Sequence, residues 1–192
     1  MPKIILQPGD ALVLVDVQND FLPGGALPVL DGDRIVPPIN HWLARMAQAR
    51  LRTFATRDWH PQDHCSFRTR GGPWPPHCIA GTPGADFPGT IHWSQLNPPT
   101  VINKGTHPDA DAYSGFEGTD LHAQLHSAGI KRLFIAGLAT DYCVLNTVLD
   151  ARALGYEVWV LEPATRPVEL HPGDGARALT KMRAAGATTL QD

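Results

Sequence analysis

The sequence lacks the features that mark several classes of protein. It contains no run of five or more like charges, and its formal net charge is only -3. Neither nucleic acid nor an anionic membrane is therefore an expected partner. No apolar stretch approaches the roughly 20 residues that a membrane helix requires, and the chain turns polar at Gln7 before a signal-like core can form. We expect a cytoplasmic protein whose ligand is small and weakly charged.

Cysteine is also scarce. The three cysteines, Cys65, Cys78 and Cys143, are an odd number and show no C-x-x-C spacing. This pattern argues against a disulfide framework and predicts reduced thiols. A chain of 192 residues can bury a core without disulfides. We therefore expect residues 1–192 to form a single domain.

Apolar segments rich in β-branched residues alternate with helical patterns. The segments typical of strands are 11–15, 51–55, 100–102, 133–136, 158–161 and 187–190. Helical spacing of apolar residues predicts helices over 34–49, around 145–154 and over 173–185. The alternation predicts an α/β protein with three layers, α/β/α, around a six-stranded, mainly parallel, Rossmann-like sheet.

Ionisable or nucleophilic residues follow the first four predicted strands. Asp16, Asp58 and Lys104 follow the first three, and Cys143 lies beyond the fourth. Each has an ordinary structural interpretation, as a turn former, a surface charge or an inert core thiol. However, open parallel sheets bind ligands beyond the carboxyl ends of their strands, where neighbouring strands lie about 4.8 Å apart. The shared placement of the four residues predicts one cleft.

Cys143 has the setting of a nucleophile. A short turn leads from the fourth strand into a helix that Thr140 or Asp141 can cap, which places Cys143 in the first helical turn. The helix dipole there favours thiolate, and a nearby Lys104 ammonium would lower the thiol pKa further. Asp16 can accept the proton and later deliver it to a leaving amine. These residues predict acyl transfer.

The long segment 59–97, dense in Pro, Gly, His and Trp, does not fit the alternation, and neither does 21–31. Long connections of this kind are usually functional. In an extended chain Asp58 and His60 point to the same side, so both can hold one metal ion, with His77 completing the set. Loop histidines are often only surface residues, but several in one loop favour a metal. The ligand types suit zinc, iron(II) or manganese.

These motifs together resemble the isochorismatase-like cysteine hydrolases and, among them, the nicotinamidases. The matching segments are 13–21, 58–67, 74–78, 104–105, 111–114 and 137–144. The string W-P-P-H-C at 74–78 and the metal loop are the more specific elements. By this resemblance the isochorismatases are metal-free relatives, and they lack both. The resemblance extends over nearly the whole chain.

The resemblance implies roles for the residues at the strand ends. Asp16 is implied as the base, Lys104 as its electrostatic partner and Cys143 as the nucleophile. The backbone amides of Ala139 and Cys143 would form the oxyanion hole, and a cis peptide is implied between Leu138 and Ala139. The segment 162–173 is expected to be a helix-capping loop near the active site.

The resemblance also implies a substrate and a cofactor. The reaction would be hydrolysis of nicotinamide to nicotinate and ammonia through a thioester, with pyrazinamide as a second substrate. One divalent ion, zinc before iron or manganese, would meet the pyridine nitrogen. The implied metal ligands are Asp58, His60 and His77, with His64 left open, and the implied ring contacts are Phe21, Trp74, Tyr113 and Leu138. Relatives suggest a homo-oligomer.

Three other interpretations remain. The chain could be another cysteine amidohydrolase of the same superfamily that acts on a different small amide. It could be a metallohydrolase in which metal-bound hydroxide attacks and Cys143 is structural. It could also be a non-catalytic metal- or ligand-binding domain that retains the fold.

Overall fold

One parallel sheet organises the chain, for which a computed structural model describes residues 4–191. The strands are β1 (Asp10–Val15), β2 (Arg52–Asp58), β3 (Thr100–Lys104), β4 (Arg132–Leu138), β5 (Glu157–Arg166) and β6 (Thr188–Leu190). Their spatial order is β3-β2-β1-β4-β5-β6, and every neighbouring pair is parallel. The predicted six-stranded α/β fold is confirmed, with a sheet that is entirely parallel.

Four helices cover the two faces of the sheet. They are α1 (Val36–Gln48), α2 (Leu121–Ser127), α3 (Leu145–Ala153) and α4 (Asp174–Ala184). Buried residues of α1 join one core cluster, and those of α2, α3 and α4 join the other, which gives the predicted three layers. Within residues 4–191, no helix has both the length and the apolar character needed to cross a membrane.

The central strand β1 shows why the sheet is buried on both sides. All six residues of β1 are buried, and its side chains alternate between the two clusters. Leu12 and Leu14 pack into the cluster with α1, whereas Ala11, Val13 and Val15 pack into the opposite one. A strand in the middle of a parallel sheet must be apolar on both faces, and β1 meets that requirement.

The observed elements differ from the predicted ones in several places. Strands β2 and β3 extend to include Asp58 and Lys104, which were expected just after them. Strand β5 continues to Arg166, so the loop expected from residue 162 was wrong over its first five residues. Helix α2 was not predicted, because its seven residues bury only Leu121 and Leu125 and give almost no periodic signal.

Gly137 lies near the end of β4, where its register partner is Val15 of β1. Its φ of +122° is rarely adopted by residues with a side chain, and a Cβ there would overlap the backbone of Val15. We therefore expect Gly137→Ala to lower the free energy of unfolding by roughly 2 to 5 kcal/mol, measured by urea denaturation. Gly89→Ala is the matched control, because a Cβ at Gly89 meets nothing within 4 Å. Equal stability of the two variants would contradict this account of Gly137.

Candidate active site

The strand order brings the four strand-end residues together. Strands β3, β2, β1 and β4 are consecutive neighbours, and Asp58 is the register partner of Lys104. Asp16 directly follows β1, and Cys143 lies in the turn after β4. The structure thus brings Asp16, Asp58, Lys104 and Cys143 to the same edge of the sheet.

The Lys104 ammonium lies at the centre of this group. Its Nζ is 3.0 Å from Asp16 Oδ2 and 2.5 Å from Asp58 Oδ1. The same nitrogen lies 3.5 Å from Cys143 Sγ and donates to the carbonyl of Ala112 at 2.9 Å. Lys104 is 1% exposed and Cys143 7% exposed, so these charges interact with little solvent between them.

Burial and charge set the protonation of this group. Burial raises the pKa of the Cys143 thiol well above its usual value, although the Lys104 ammonium opposes the shift. Burial likewise raises the pKa of Asp16 against the effect of Lys104. For Lys104 itself, burial acts to lower the pKa, but the carboxylates of Asp16 and Asp58 raise it well above its usual value. The two carboxylates therefore favour the charged form of Lys104.

The expectation of a low thiol pKa at Cys143 is wrong. Lys104 also pairs with the carboxylates of Asp16 and Asp58, and their negative charges offset most of its electrostatic effect on the sulfur atom. Ionising the thiol would add a third negative charge to a buried site. With its pKa raised, the thiol needs a proton acceptor in order to react, and Asp16 offers a carboxylate oxygen within 4.8 Å of the sulfur atom.

The turn that carries Cys143 is a π-helix over Thr140–Val144, preceded by a cis peptide between Leu138 and Ala139. The structure confirms the expected cis bond. The expected helix capping is wrong, because neither Thr140 nor Asp141 caps the helix. Thr140 Oγ1 instead lies 2.8 Å from Thr165 Oγ1, and the Asp141 carboxylate accepts hydrogen bonds from the loop after β5.

Asp58, His60 and His77 form a buried group beside the thiol that could hold a metal ion. Their ligand atoms all lie within 4.8 Å of one another. His60 Nδ1 lies 2.9 Å from the carbonyl of Gly105, and His77 Nδ1 lies 2.8 Å from that of Pro75. Because a carbonyl only accepts, each Nδ1 must be the donor, which leaves each Nε2 lone pair available for a metal.

The electrostatics of the set also suit a divalent cation. Burial lowers the pKa of His77, which favours the neutral imidazole that ligation requires. For His60, burial acts to lower the pKa, but hydrogen bonding to Asp58 and Gly105 raises it, and a bound cation would take the place of the proton. Burial alone would raise the pKa of Asp58, but Lys104 together with His60 and His77 brings it below its usual value. One ionised carboxylate and free imidazole nitrogens fit a divalent metal.

His64, left open as a ligand, lies behind this set. Its Nδ1 is 2.7 Å from Ser66 Oγ and its Nε2 is 3.1 Å from the carbonyl of Ala110. Its ring stacks on His60 with centroids 4.0 Å apart. Both nitrogens are thus engaged with protein, and the ring of His64 supports that of His60 by stacking.

A cavity with aromatic walls lies above the thiol and the metal ligands. Phe21, Trp74 and Tyr113 line it, as does Cys143. Trp74 Nε1 donates to the Tyr113 hydroxyl at 3.1 Å, which holds the two rings in a fixed relation. Leu138 was expected to contact the substrate, but it does not line this cavity. It is 1% exposed and packs in the core, because it is the last residue of β4.

Several wall residues escaped the sequence analysis. They are Leu27, Pro28, Val29, Ser66, Asp111, Ala112, Tyr142 and Val168. Leu27 to Val29 belong to the stretch 21–31 that broke the strand and helix pattern, so that irregularity was the available signal. No sequence pattern around Val168 indicated a cavity residue, because only the path of the loop after β5 brings Val168 to the cavity.

The arrangement supports covalent acyl chemistry on a small ring. A thiol faces the cavity, with a carboxylate beneath it to take its proton and an ammonium to offset the negative charge. Beside the thiol, the three metal ligands present their free atoms to the same space. The remaining wall is mostly apolar and aromatic, which suits a flat, weakly charged ligand.

Comparison with known proteins gives concordant matches. The family described as Isochorismatase domain matches residues 10–191. The nicotinamidase of Escherichia coli is 39% identical, over 96% of this chain and 97% of the relative. The crystal structure of the pyrazinamidase of Pyrococcus horikoshii in complex with zinc is 47% identical with a TM-score of 0.90, over 96% and 100% of the two chains. A structure from L. infantum in complex with nicotinate is 38% identical with a TM-score of 0.86, over 95% and 92%.

The proposed ligand set can be tested by direct metal titration. We expect His77→Ala to weaken zinc binding at least about 100-fold, because a tridentate site loses one of its three protein ligands. The measurement is a titration against a chromophoric chelator. His107→Ala is the control, since His107 is exposed and lies outside the ligand set. A similar affinity in the two variants would argue against the assigned site.

Proposed function

Because this chain belongs to the isochorismatase family, we propose that it is a nicotinamidase, which hydrolyses nicotinamide to nicotinate and ammonia. The observation that carries the proposal is that a buried thiol and a three-residue metal site face one aromatic cavity. Nicotinamide combines the two matching groups, a carboxamide for the thiol and a pyridine nitrogen for the metal. The names of the relatives support this substrate.

The cavity residues would orient the ring. A divalent metal at Asp58, His60 and His77, with zinc favoured by the zinc-bound relative, would supply a Lewis acid that a pyridine nitrogen can coordinate. Phe21 and Trp74 would contact the ring. Orienting a small ring in this way places its carboxamide at the sulfur atom, and such positioning can account for much of a rate enhancement.

The first half of the reaction needs a nucleophile and a proton acceptor. Asp16 would take the proton of Cys143 while Sγ forms a bond to the amide carbon. The backbone amides of Ala139 and Cys143 would hold the oxyanion. As the C–N bond breaks, protonated Asp16 would return the proton to the nitrogen and release ammonia. The Lys104 ammonium, 3.5 Å from Sγ, would stabilise the transient thiolate.

The second half restores the enzyme. Asp16 would accept a proton from a water molecule, and the oxygen would attack the thioester carbon. The C–S bond then breaks, the proton returns to Cys143 and nicotinate is released. Pyrazinamide retains both the ring nitrogen and the carboxamide, so the same steps predict that it is a second substrate.

Cys143→Ala tests the covalent route. We expect kcat/KM for nicotinamide, measured by ammonia release, to fall at least about 10³-fold, because no other group replaces the nucleophile. Zinc binding should be retained, which would show that the variant keeps its site. Cys65→Ala is the matched control, since Cys65 does not line the cavity. Substantial activity in Cys143→Ala would favour attack by metal-bound hydroxide instead.

The role of the ring nitrogen can be tested with benzamide, which has the same shape and carboxamide but no nitrogen in the ring. We expect kcat/KM for benzamide to be at least about 100-fold lower than for nicotinamide, because a site built for a polar contact rejects the analogue that lacks it. Ammonia release is again the measurement. Comparable turnover of the two amides would indicate another small-amide hydrolase.

A further inference from the structure

A single carboxylate joins the nucleophile turn to the opposite wall of the cavity. Asp141, two residues before Cys143, accepts a hydrogen bond from the Val168 amide through Oδ1 at 2.8 Å. Its Oδ2 accepts one from the Glu169 amide at 3.0 Å. Val168 lines the cavity together with Cys143. The side chain of Asp141 therefore fixes one wall of the cavity relative to the nucleophile.

The two amides depend on this acceptor because of the local sequence. Strand β5 ends at Arg166, and Pro167 has no N–H, so Val168 and Glu169 supply the first two amides after the strand. Glu169 has a φ of +57°, which non-glycine residues rarely adopt. A carboxyl group shared by two consecutive amides can hold such a backbone in place.

The far side of the loop is held in a similar way. The Glu169 carboxylate accepts hydrogen bonds from the amides of Gly173 at 3.0 Å and Gly175 at 2.7 Å, at the start of α4. A Cβ on Gly175 would approach Pro167 to 2.8 Å, so the helix packs directly on the loop. The loop is thus braced by α4 on one side and by Asp141 on the other.

The nucleophile turn has bonds of its own that do not involve Asp141. Thr140 Oγ1 lies 2.8 Å from Thr165 Oγ1, and the Val144 amide donates to the Ala139 carbonyl at 3.1 Å. Loss of the Asp141 carboxylate would therefore release Val168 before it displaced Cys143. Both carboxylate oxygens are also occupied by backbone amides, so Asp141 is not placed to exchange protons with a substrate.

We propose that Asp141 is a positioning residue that holds Val168 against the substrate ring, and that it thereby determines how tightly the cavity binds that ring. The inference rests on the proposed hydrolysis of nicotinamide and adds to it a residue outside the triad and the metal site. Because the side chain positions the cavity wall rather than the sulfur atom, its loss should raise KM and leave kcat nearly unchanged.

Steady-state kinetics of Asp141→Ala test the proposal. We expect KM for nicotinamide to rise about tenfold while kcat stays within about threefold of wild type, because the lost contacts orient the wall and not the reacting atoms. Asp141→Asn, which keeps the volume and one acceptor oxygen, should show a smaller rise in KM. Asp174→Asn is the matched control. It removes a carboxylate that caps the same loop at the His171 amide, without a bond to the nucleophile turn.

Hydrogen exchange followed by mass spectrometry gives a readout that needs no substrate. The peptide that contains Val168 and Glu169 should exchange faster in Asp141→Ala than in wild type or in Asp174→Asn. A fall in kcat with unchanged KM, or unchanged exchange in this peptide, would overturn the proposal. If the wild-type protein did not hydrolyse nicotinamide, the proposed function would fail, and the exchange rates would still decide whether Asp141 holds the loop.

Discussion

The site depends on one buried ammonium. Lys104 contacts two carboxylates and lies near a thiol, and each partner comes from a different strand or strand end. Removing one member of a buried ionic group costs about 3 to 5 kcal/mol, because the remaining charges lose their compensation. The register of β2 and β3, which pairs Asp58 with Lys104, is therefore set both by backbone hydrogen bonds and by charge. The same ammonium connects the thiol half of the site to the metal half through Asp58.

The strand-end positions could be predicted from sequence because the rule behind them is topological. In a parallel sheet all carboxyl ends meet at one edge, so Asp16, Asp58 and Lys104 could be placed together before any distance was known. The proximity of Asp58 and His60 could be predicted because residues two apart in an extended chain point to the same side, and their ligand atoms lie within 4.8 Å of each other. The pKa of Cys143 could not be predicted, because it depends on how many groups share Lys104 and on how little water reaches the sulfur.

Other features were missed because they depend on tertiary packing. Val168 belongs to a segment without a motif, and only the length of β5 and the carboxylate of Asp141 bring it to the cavity. Leu138 was expected beside the substrate, yet its neighbour Ala139 lines the cavity while Leu138 follows the alternation of β4 into the core. A shift of one residue along the backbone thus separates a position in the cavity wall from a position in the core, and sequence resemblance does not resolve that difference.

The position of β3 in the sheet affects the order in which heating disrupts the site and the fold. Within residues 4–191, β3 is an outermost strand that pairs only with β2, yet it carries the ammonium on which the site depends. Outer strands open locally at a lower free energy than central ones. Gentle heating would therefore disperse the charge cluster while the interior strands remain paired, and inactivation would precede the cooperative loss of the fold.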